Sequence, residues 1–374
     1  MRIGLNLLHA LPEIGGGWNY IQNLVTALGD YDHTNSYVTF VTHASECLVP
    51  TQPNFERVLV KLHSESRPQR IVYENTVLQY LARKHHLDCM HWFASTQGIV
   101  NTVPAVVTVH DLQPFLNYAG FSLFKRVYLR WMMFITVRQA SVLLPVSQAT
   151  ASDLQRRLSA DPARMVVIPA VVEESFKPAA TEDIASFRAR YCLPERFWLY
   201  VAHFYPHKNH MRLLRAYYQL KQAGHQPWPL VLRGDPYGAE ISVRQNIALW
   251  HLEGDIIWLP RLGQRELVAL YSSASALIFP SLYEGGGIPV LEAMACGCPV
   301  VASDIPPVRE FAGDGASYFD PTNVDSIAQA MLAFQNGTID HDQGRQMGLS
   351  RVTEFRARPV VVRLLAAYAR VTAK

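Results

Sequence analysis

Pro280-Ser281-Leu282-Tyr283-Glu284-Gly285-Gly286-Gly287-Ile288-Pro289-Val290-Leu291-Glu292-Ala293-Met294-Ala295-Cys296-Gly297-Cys298-Pro299 is the most informative stretch of this 374-residue chain. The apolar run Ala276–Phe279 just before it reads as a strand that stops at Pro280, and a glycine-rich turn follows. Pro289 stands where a helix accepts proline, at its first position, and Gly297 stands where a helix stops. Leu291, Met294 and Ala295 give that helix a buried face. The N–H groups of Gly286, Gly287 and Ile288 are thereby expected at a helix N-terminus, where fixed donors and the helix dipole suit a phosphate. Glu284 precedes this cradle and Glu292 lies in the first turns behind it, so that both can accept hydrogen bonds from sugar hydroxyls. A capping glutamate beside a surface glutamate is the purely structural account of the same pair.

Outward from this block, short apolar runs alternate with helical patterns along the whole chain. Strands are expected at Ile3–Leu7, Tyr37–Thr42, Cys89–Trp92, Ala105–Val109 and Val142–Pro145, with helices at Trp18–Leu28, Gln69–Lys84 and Phe121–Gln139. A second series runs through Phe197–Val201, Leu230–Leu232, Ile256–Trp258, Ala276–Phe279 and Pro299–Ala302. Its helices fall at about Met211–Ala223, Arg265–Ser272, Pro289–Ala295 and Val324–Gln335. Such alternation argues for parallel sheets covered on both faces. It occurs twice, separated by the aperiodic segment Ile168–Thr181. The expected architecture is α/β, two Rossmann-like doubly wound domains over 1–170 and 171–355, facing a central cleft at the carboxyl ends of their strands.

Composition excludes much else. With 49% hydrophobic and 17% charged residues the chain has material for two cores, and a net charge of +3 does not suggest a nucleic-acid partner. Five scattered cysteines without a CxxC pair speak against a disulfide framework or structural zinc. There is no GxxxxGK[ST], no GxGxxG after the first strand and no GxSxG, which removes P-loop NTPases and nucleophile-elbow hydrolases and weakens a dinucleotide dehydrogenase. Neither a signal peptide nor an apolar run of ~18 residues is recognisable. The expected location is the cytoplasm.

The E-x7-E block, with its continuation through Ser303, resembles retaining glycosyltransferase family 4, of the GT-B fold. Pro260–Tyr271 and Ser275–Pro280 resemble that family's approach to the motif, and the match thins out in the first half of the chain. The resemblance implies transfer of a hexose from a nucleotide-sugar co-substrate to a glycan or lipid-linked acceptor, without a metal or other cofactor. It implies that Glu284 grips the donor sugar, Glu292 the ribose, and that the base packs near Leu259, Arg261 and Leu262. In Tyr200–Asn209, Lys208 matches the lysine that holds the donor diphosphate, while His203 stands where the family commonly has arginine. The second cation is then a charged His203, or His207, or Arg233, or Lys208 acts alone. His110, just beyond Ala105–Val109, matches a histidine that touches the donor sugar, and Gly15, Gly16 and Gly17 resemble the family's glycine loop. The last helix, about Pro359–Thr372 within 356–374, is expected to pack back on the N-terminal domain, as in similar proteins.

Segments HDL and HKN resemble those of mannosyltransferase relatives of polysaccharide clusters, and this resemblance inclines the donor toward GDP-mannose rather than UDP-glucose. Two rival functions share the architecture: a nucleotide-sugar 2-epimerase, and a non-catalytic nucleotide-sugar-binding member. Phe121–Gln139 mixes aromatic and basic residues and has two readings. It is either a core-packing helix with its arginines reaching outward, the reading adopted, or a peripheral contact with the inner face of a membrane.

Overall fold

The computed structural model describes residues 1–11, 16–62, 66–116, 122–339 and 341–372. The chain divides into two compact units, Met1–Val171 together with Glu354–Lys374, and Val172–Thr353.

In the first unit six parallel strands, β1 (Arg2–Asn6), β2 (Ser36–Val41), β3 (Phe55–Leu59), β4 (Cys89–Trp92), β5 (Ala105–Val109) and β6 (Val142–Pro145), lie in the order β3-β2-β1-β4-β5-β6. Strands β4, β5 and β6 are buried at every position, because helices cover both faces of the sheet. Those helices are α1 (Gly16–Tyr31), α2 (Arg67–Asn75), α3 (Val77–Lys84), α4 (Leu123–Gln139) and α5 (Gln148–Leu158). The single helix expected over Gln69–Lys84 is two. Asn75 turns its side chain to the Ile71 carbonyl and to the N–H groups of Ile99 and Val100, and Thr76 leaves the helical region with φ −126° and ψ −83°.

In the second unit β7 (Trp198–Val201), β8 (Leu230–Arg233), β9 (Ile256–Leu259), β10 (Ala276–Phe279), β11 (Val300–Ser303) and β12 (Ala316–Phe319) run parallel in the order β12-β11-β10-β7-β8-β9. Around them lie α6 (Thr181–Arg190), α7 (His210–Gln222), α8 (Glu240–Leu249), α9 (Gln264–Ser273), α10 (Ile288–Ala295), α11 (Pro306–Ala312), α12 (Val324–Gln335) and α13 (His341–Val352). The last helix of the chain, α14 (Ala357–Thr372), belongs to the first unit and packs on α1 and β6. There the Tyr368 hydroxyl meets His91 Nδ1 at 2.7 Å, while His91 Nε2 meets Thr108 Oγ1 at 2.8 Å.

Both sheets are therefore doubly wound. The chain leaves β1 toward one edge and returns to its other side with β4, and it does the same at β7 and β10. At such a reversal the loops after the two central strands diverge and leave a crevice at their carboxyl ends. That edge of each sheet is where a ligand site belongs.

Candidate active site

In the second unit the crevice lies between the loops that follow β7 and β10. After β7 the chain makes a short turn at Pro206–Lys208, and Asn209 starts α7 from the left-handed region, with φ 64°. Asparagine tolerates that conformation better than most side chains. Its amide is used as well, donating to the Pro280 carbonyl at 2.9 Å and the Pro321 carbonyl at 2.8 Å. Leu282 N–H donates to the His207 carbonyl at 2.8 Å, and the Tyr200 hydroxyl donates to the Lys208 carbonyl at 2.5 Å. The two loops are thus bonded to one another, and Asn209 is a positioning residue that reading the motif alone did not single out.

This bracing brings Lys208 and Glu284 together. The ammonium donates to both carboxylate oxygens, at 2.6 and 2.8 Å, and both side chains are largely buried. Beyond Glu284 the chain turns through Gly285–Gly287 into α10, with Gly287 as N-cap and Pro289 in the first turn. The N–H groups of Gly286, Gly287 and Ile288 lie at this helix start, where no preceding carbonyl of the helix can take them. Gly297, with φ 71°, closes the far end, and Cys298 N–H returns to the Ala293 carbonyl at 2.9 Å.

Glu292 is no surface residue. It is 8% exposed and accepts a hydrogen bond from the Tyr271 hydroxyl at 2.9 Å. Burial pushes its carboxyl up to about 7, with Glu173 adding to the rise while the Tyr271 bond and Arg233 oppose it. Tyr271 is itself raised well above its ordinary range, so it stays the donor.

For His203, the surroundings in the free protein disfavour the imidazolium considered as a phosphate partner. Its Nδ1 accepts the Asp235 backbone N–H at 3.2 Å, which places its own proton on Nε2. Burial lowers its pKa, and Arg233, Lys208 and Arg261 lower it further, against the pull of Asp235. In the free protein the ring is neutral at pH 7. His207 is also driven down, to about 4, by burial and by Lys208. Arg233 ends β8, and its buried Nε has no hydrogen-bond partner among the described residues. Next to it, a Cβ on Gly234 would stand 1.8 Å from the Ala202 carbonyl oxygen, so only glycine lets the ends of β7 and β8 close. Of the residues expected near a base, Leu259 and Leu262 are buried and Arg261 is exposed. Tyr205 and Tyr237 stack at 4.5 Å beside His203, an aromatic wall that no motif announced.

The remaining sequence-derived residues belong to the first unit. Gly15 lies outside the described residues, and Gly16 and Gly17 form the first turn of α1. His110 follows β5, donates from Nε2 to the Phe93 carbonyl at 2.8 Å, and meets the edge of Tyr20 at 4.9 Å. The carboxylate of the next residue, Asp111, accepts the Gln113 N–H at 2.9 Å. Burial lowers the pKa of His110, so it too is neutral. The same sheet edge holds buried His9, lowered to about 3 by burial and by the nearby Arg70 and His110, and Asn6, whose amide donates to Glu74 at 3.0 Å. Among the described residues no three His, Cys, Asp or Glu side chains are grouped to hold a metal ion.

Residues 14–176 match the model of Glycosyltransferase Family 4, and residues 187–346 match that of Glycosyl transferases group 1. The chain is 28% identical to O-antigen chain mannosyltransferase B of Escherichia coli over 248 residues, 66% of this chain and 64% of that relative. It is 28% identical to O-antigen chain mannosyltransferase RfbU of Salmonella typhimurium over 263 residues, 66% of this chain and 70% of the relative. Among solved structures, sucrose-phosphate synthase from Thermosynechococcus elongatus superposes with a TM-score of 0.78 at 19% identity, covering 100% of this chain and 99% of the other. Anabaena HepE in complex with UDP-glucose does so with a TM-score of 0.76 at 17% identity, covering 100% of both. The fold is GT-B.

Proposed function

Because the chain belongs to glycosyltransferase family 4 and is a glycosyltransferase, we propose that it moves mannose from a nucleotide-sugar, GDP-mannose first, to a hydroxyl of a lipid-linked glycan, with retention and without a metal ion. The observation that carries this reading is the Lys208–Glu284 pair set against the start of α10. In the free protein the two charges neutralise each other. A diphosphate at the helix N-terminus competes for the ammonium, and Glu284 is then released to accept hydrogen bonds from the sugar hydroxyls. Arg233 and Lys208 are the side-chain cations available to the phosphates, while neutral His203 offers its Nε2–H as a donor.

The chemistry follows from where charge develops. The bond from the anomeric carbon to the diphosphate oxygen breaks, and negative charge grows on that oxygen under Lys208 and the α10 N–H groups. The acceptor oxygen bonds the anomeric carbon on the same face, and its proton passes to the departing phosphate. Glu284, bound to Lys208 and placed for the sugar hydroxyls, acts by positioning and not as a nucleophile. Mannose is preferred because two relatives are named mannosyltransferases of O-antigen chains.

A thermal-shift panel of nucleotide-sugars tests the donor, since the true one raises the melting temperature by mass action. The anomeric configuration of the product, read by NMR, tests retention. An inverted product refutes the mechanism. Turnover of the donor without any acceptor favours a 2-epimerase, and binding without transfer over a broad acceptor screen favours a non-catalytic member.

A further inference from the structure

Helix α4 is built the wrong way round for a helix that only supports a core. Its inner face is Met132, Met133, Thr136 and Val137, all buried. Its outer face is not polar. Phe124 is 84% exposed, Val127 58%, Trp131 51% and Phe134 42%, with Leu123 at 75% beside them. Steps of three, four and three residues put Phe124, Val127, Trp131 and Phe134 on one ridge along the helix. The core-packing account of Phe121–Gln139 therefore explains one face and leaves the other unexplained. An apolar ridge this regular, left in water, is costly unless something covers it.

The charges beside the ridge say what kind of partner fits. The helix carries Lys125, Arg126, Arg130 and Arg138 and no acidic residue. Arg130 is fixed against the Pro114 carbonyl at 2.8 Å, and the Arg138 guanidinium lies over the Phe134 ring at 4.2 Å. Arg67 on α2 adds a further cation close enough to lower the pKa of Lys125, alongside burial. A second copy of the chain is a poor occupant, because a two-fold contact through this face would set cations against cations. No helix among the described residues is long and apolar enough to cross a membrane. Aromatic and aliphatic residues flanked by lysine and arginine suit a position within the headgroup layer.

We propose that the outward ridge Phe124–Val127–Trp131–Phe134 with its flanking cations docks the protein on a membrane surface rich in anionic lipid. The role of this docking, bringing the first unit to a lipid-linked acceptor, rests on the function proposed above. The docking itself does not depend on it.

Co-sedimentation with phosphatidylglycerol/phosphatidylcholine vesicles tests the proposal. The wild-type chain is expected to pellet with anionic vesicles, and less with pure phosphatidylcholine or in about 0.5 M salt. Phe124→Ser with Trp131→Ser should lower the partition coefficient at least ~10-fold, since two large apolar side chains no longer enter the interface. Both positions are exposed, and nucleotide-sugar stabilisation of the double variant should equal that of wild type. This readout separates failed docking from a failed donor assignment. Wild type left in the supernatant with anionic vesicles overturns the proposal, as does a double variant that pellets like wild type. A wild-type dimer that the double variant dissolves also overturns it, in favour of self-association.

Discussion

Replacing Glu292 by glutamine isolates the energetic consequence of burying this carboxylate. Burial moves the Glu292 carboxyl from 4.5 to about 7, and the side chain is nearly inaccessible, so little solvent screening discounts the effect. The folded chain keeps a proton that the unfolded chain releases once the pH passes about 4.5. Stability therefore falls as the pH rises from about 4.5 to about 7 and is level above that. A shift of this size corresponds to about 3 kcal/mol at 1.36 kcal/mol per unit. Glutamine keeps an acceptor for the Tyr271 hydroxyl but carries no charge to bury. At pH 8 Glu292→Gln should unfold roughly 5–10 °C higher than wild type by calorimetry, and at pH 4.5 at nearly the same temperature. Donor affinity should respond in the opposite sense. Ribose hydroxyls bond best to the ionised carboxylate, so wild-type affinity for a nucleotide-sugar should rise between pH 6 and 8 while that of the variant stays flat. A nucleotide-sugar is the right probe because its phosphate diesters do not titrate there. Equal melting of the two proteins at both pH values would refute the reasoning, since Glu292 would then carry no burial penalty.

Other outcomes are equally specific. Glu284→Ala should lower transfer by at least ~100-fold, the loss expected for a charged hydrogen bond made to the reacting sugar; unchanged kinetics would place the donor site elsewhere. Lys208→Ala should weaken donor binding at every pH between 6 and 8, measured by calorimetric titration, because it removes the ammonium proposed to hold the diphosphate. His203→Ala should cost more affinity at pH 5.5 than at 7.5, since bound phosphates favour the imidazolium that the free protein disfavours; equal losses at both would make His203 a packing residue. Activity should survive EDTA, and loss restored by Mn²⁺ would overturn the assignment of the diphosphate to Lys208 and α10. Gly234→Ala should destabilise the second unit by about 3 kcal/mol or prevent its folding, because the added Cβ meets backbone and not a flexible side chain. Thermal unfolding reads this directly.

What the sequence determined by itself was whatever rests on short-range pattern. Buried parallel strands write themselves as continuous apolar runs, so the central strands of both sheets were legible, and with them the doubly wound fold. The turn and helix from Glu284 to Gly297 were legible for the same reason: proline, glycine and apolar spacing act within a few residues. Strands β3 and β12 were not. Both are outer edge strands with one neighbour, and mixed sequences such as Phe-Glu-Arg-Val-Leu satisfy an edge without an apolar run. Helix α13 was hidden by Gly344 and Gly348, poor helix formers. A Cβ on Gly348 would stand 3.0 Å from Met294 Cγ, a close approach between distant parts of the chain. Charge states were decided only by the tertiary structure. The Lys208–Glu284 pair spans two loops, the Glu292 carboxyl is raised by its surroundings, and the His203 tautomer is set by the Asp235 N–H. The outward ridge of α4 belongs with these. Composition shows that Phe121–Gln139 is aromatic and basic, but which of its apolar residues enter the core depends on the neighbours that close over one side of the helix and leave the other uncovered.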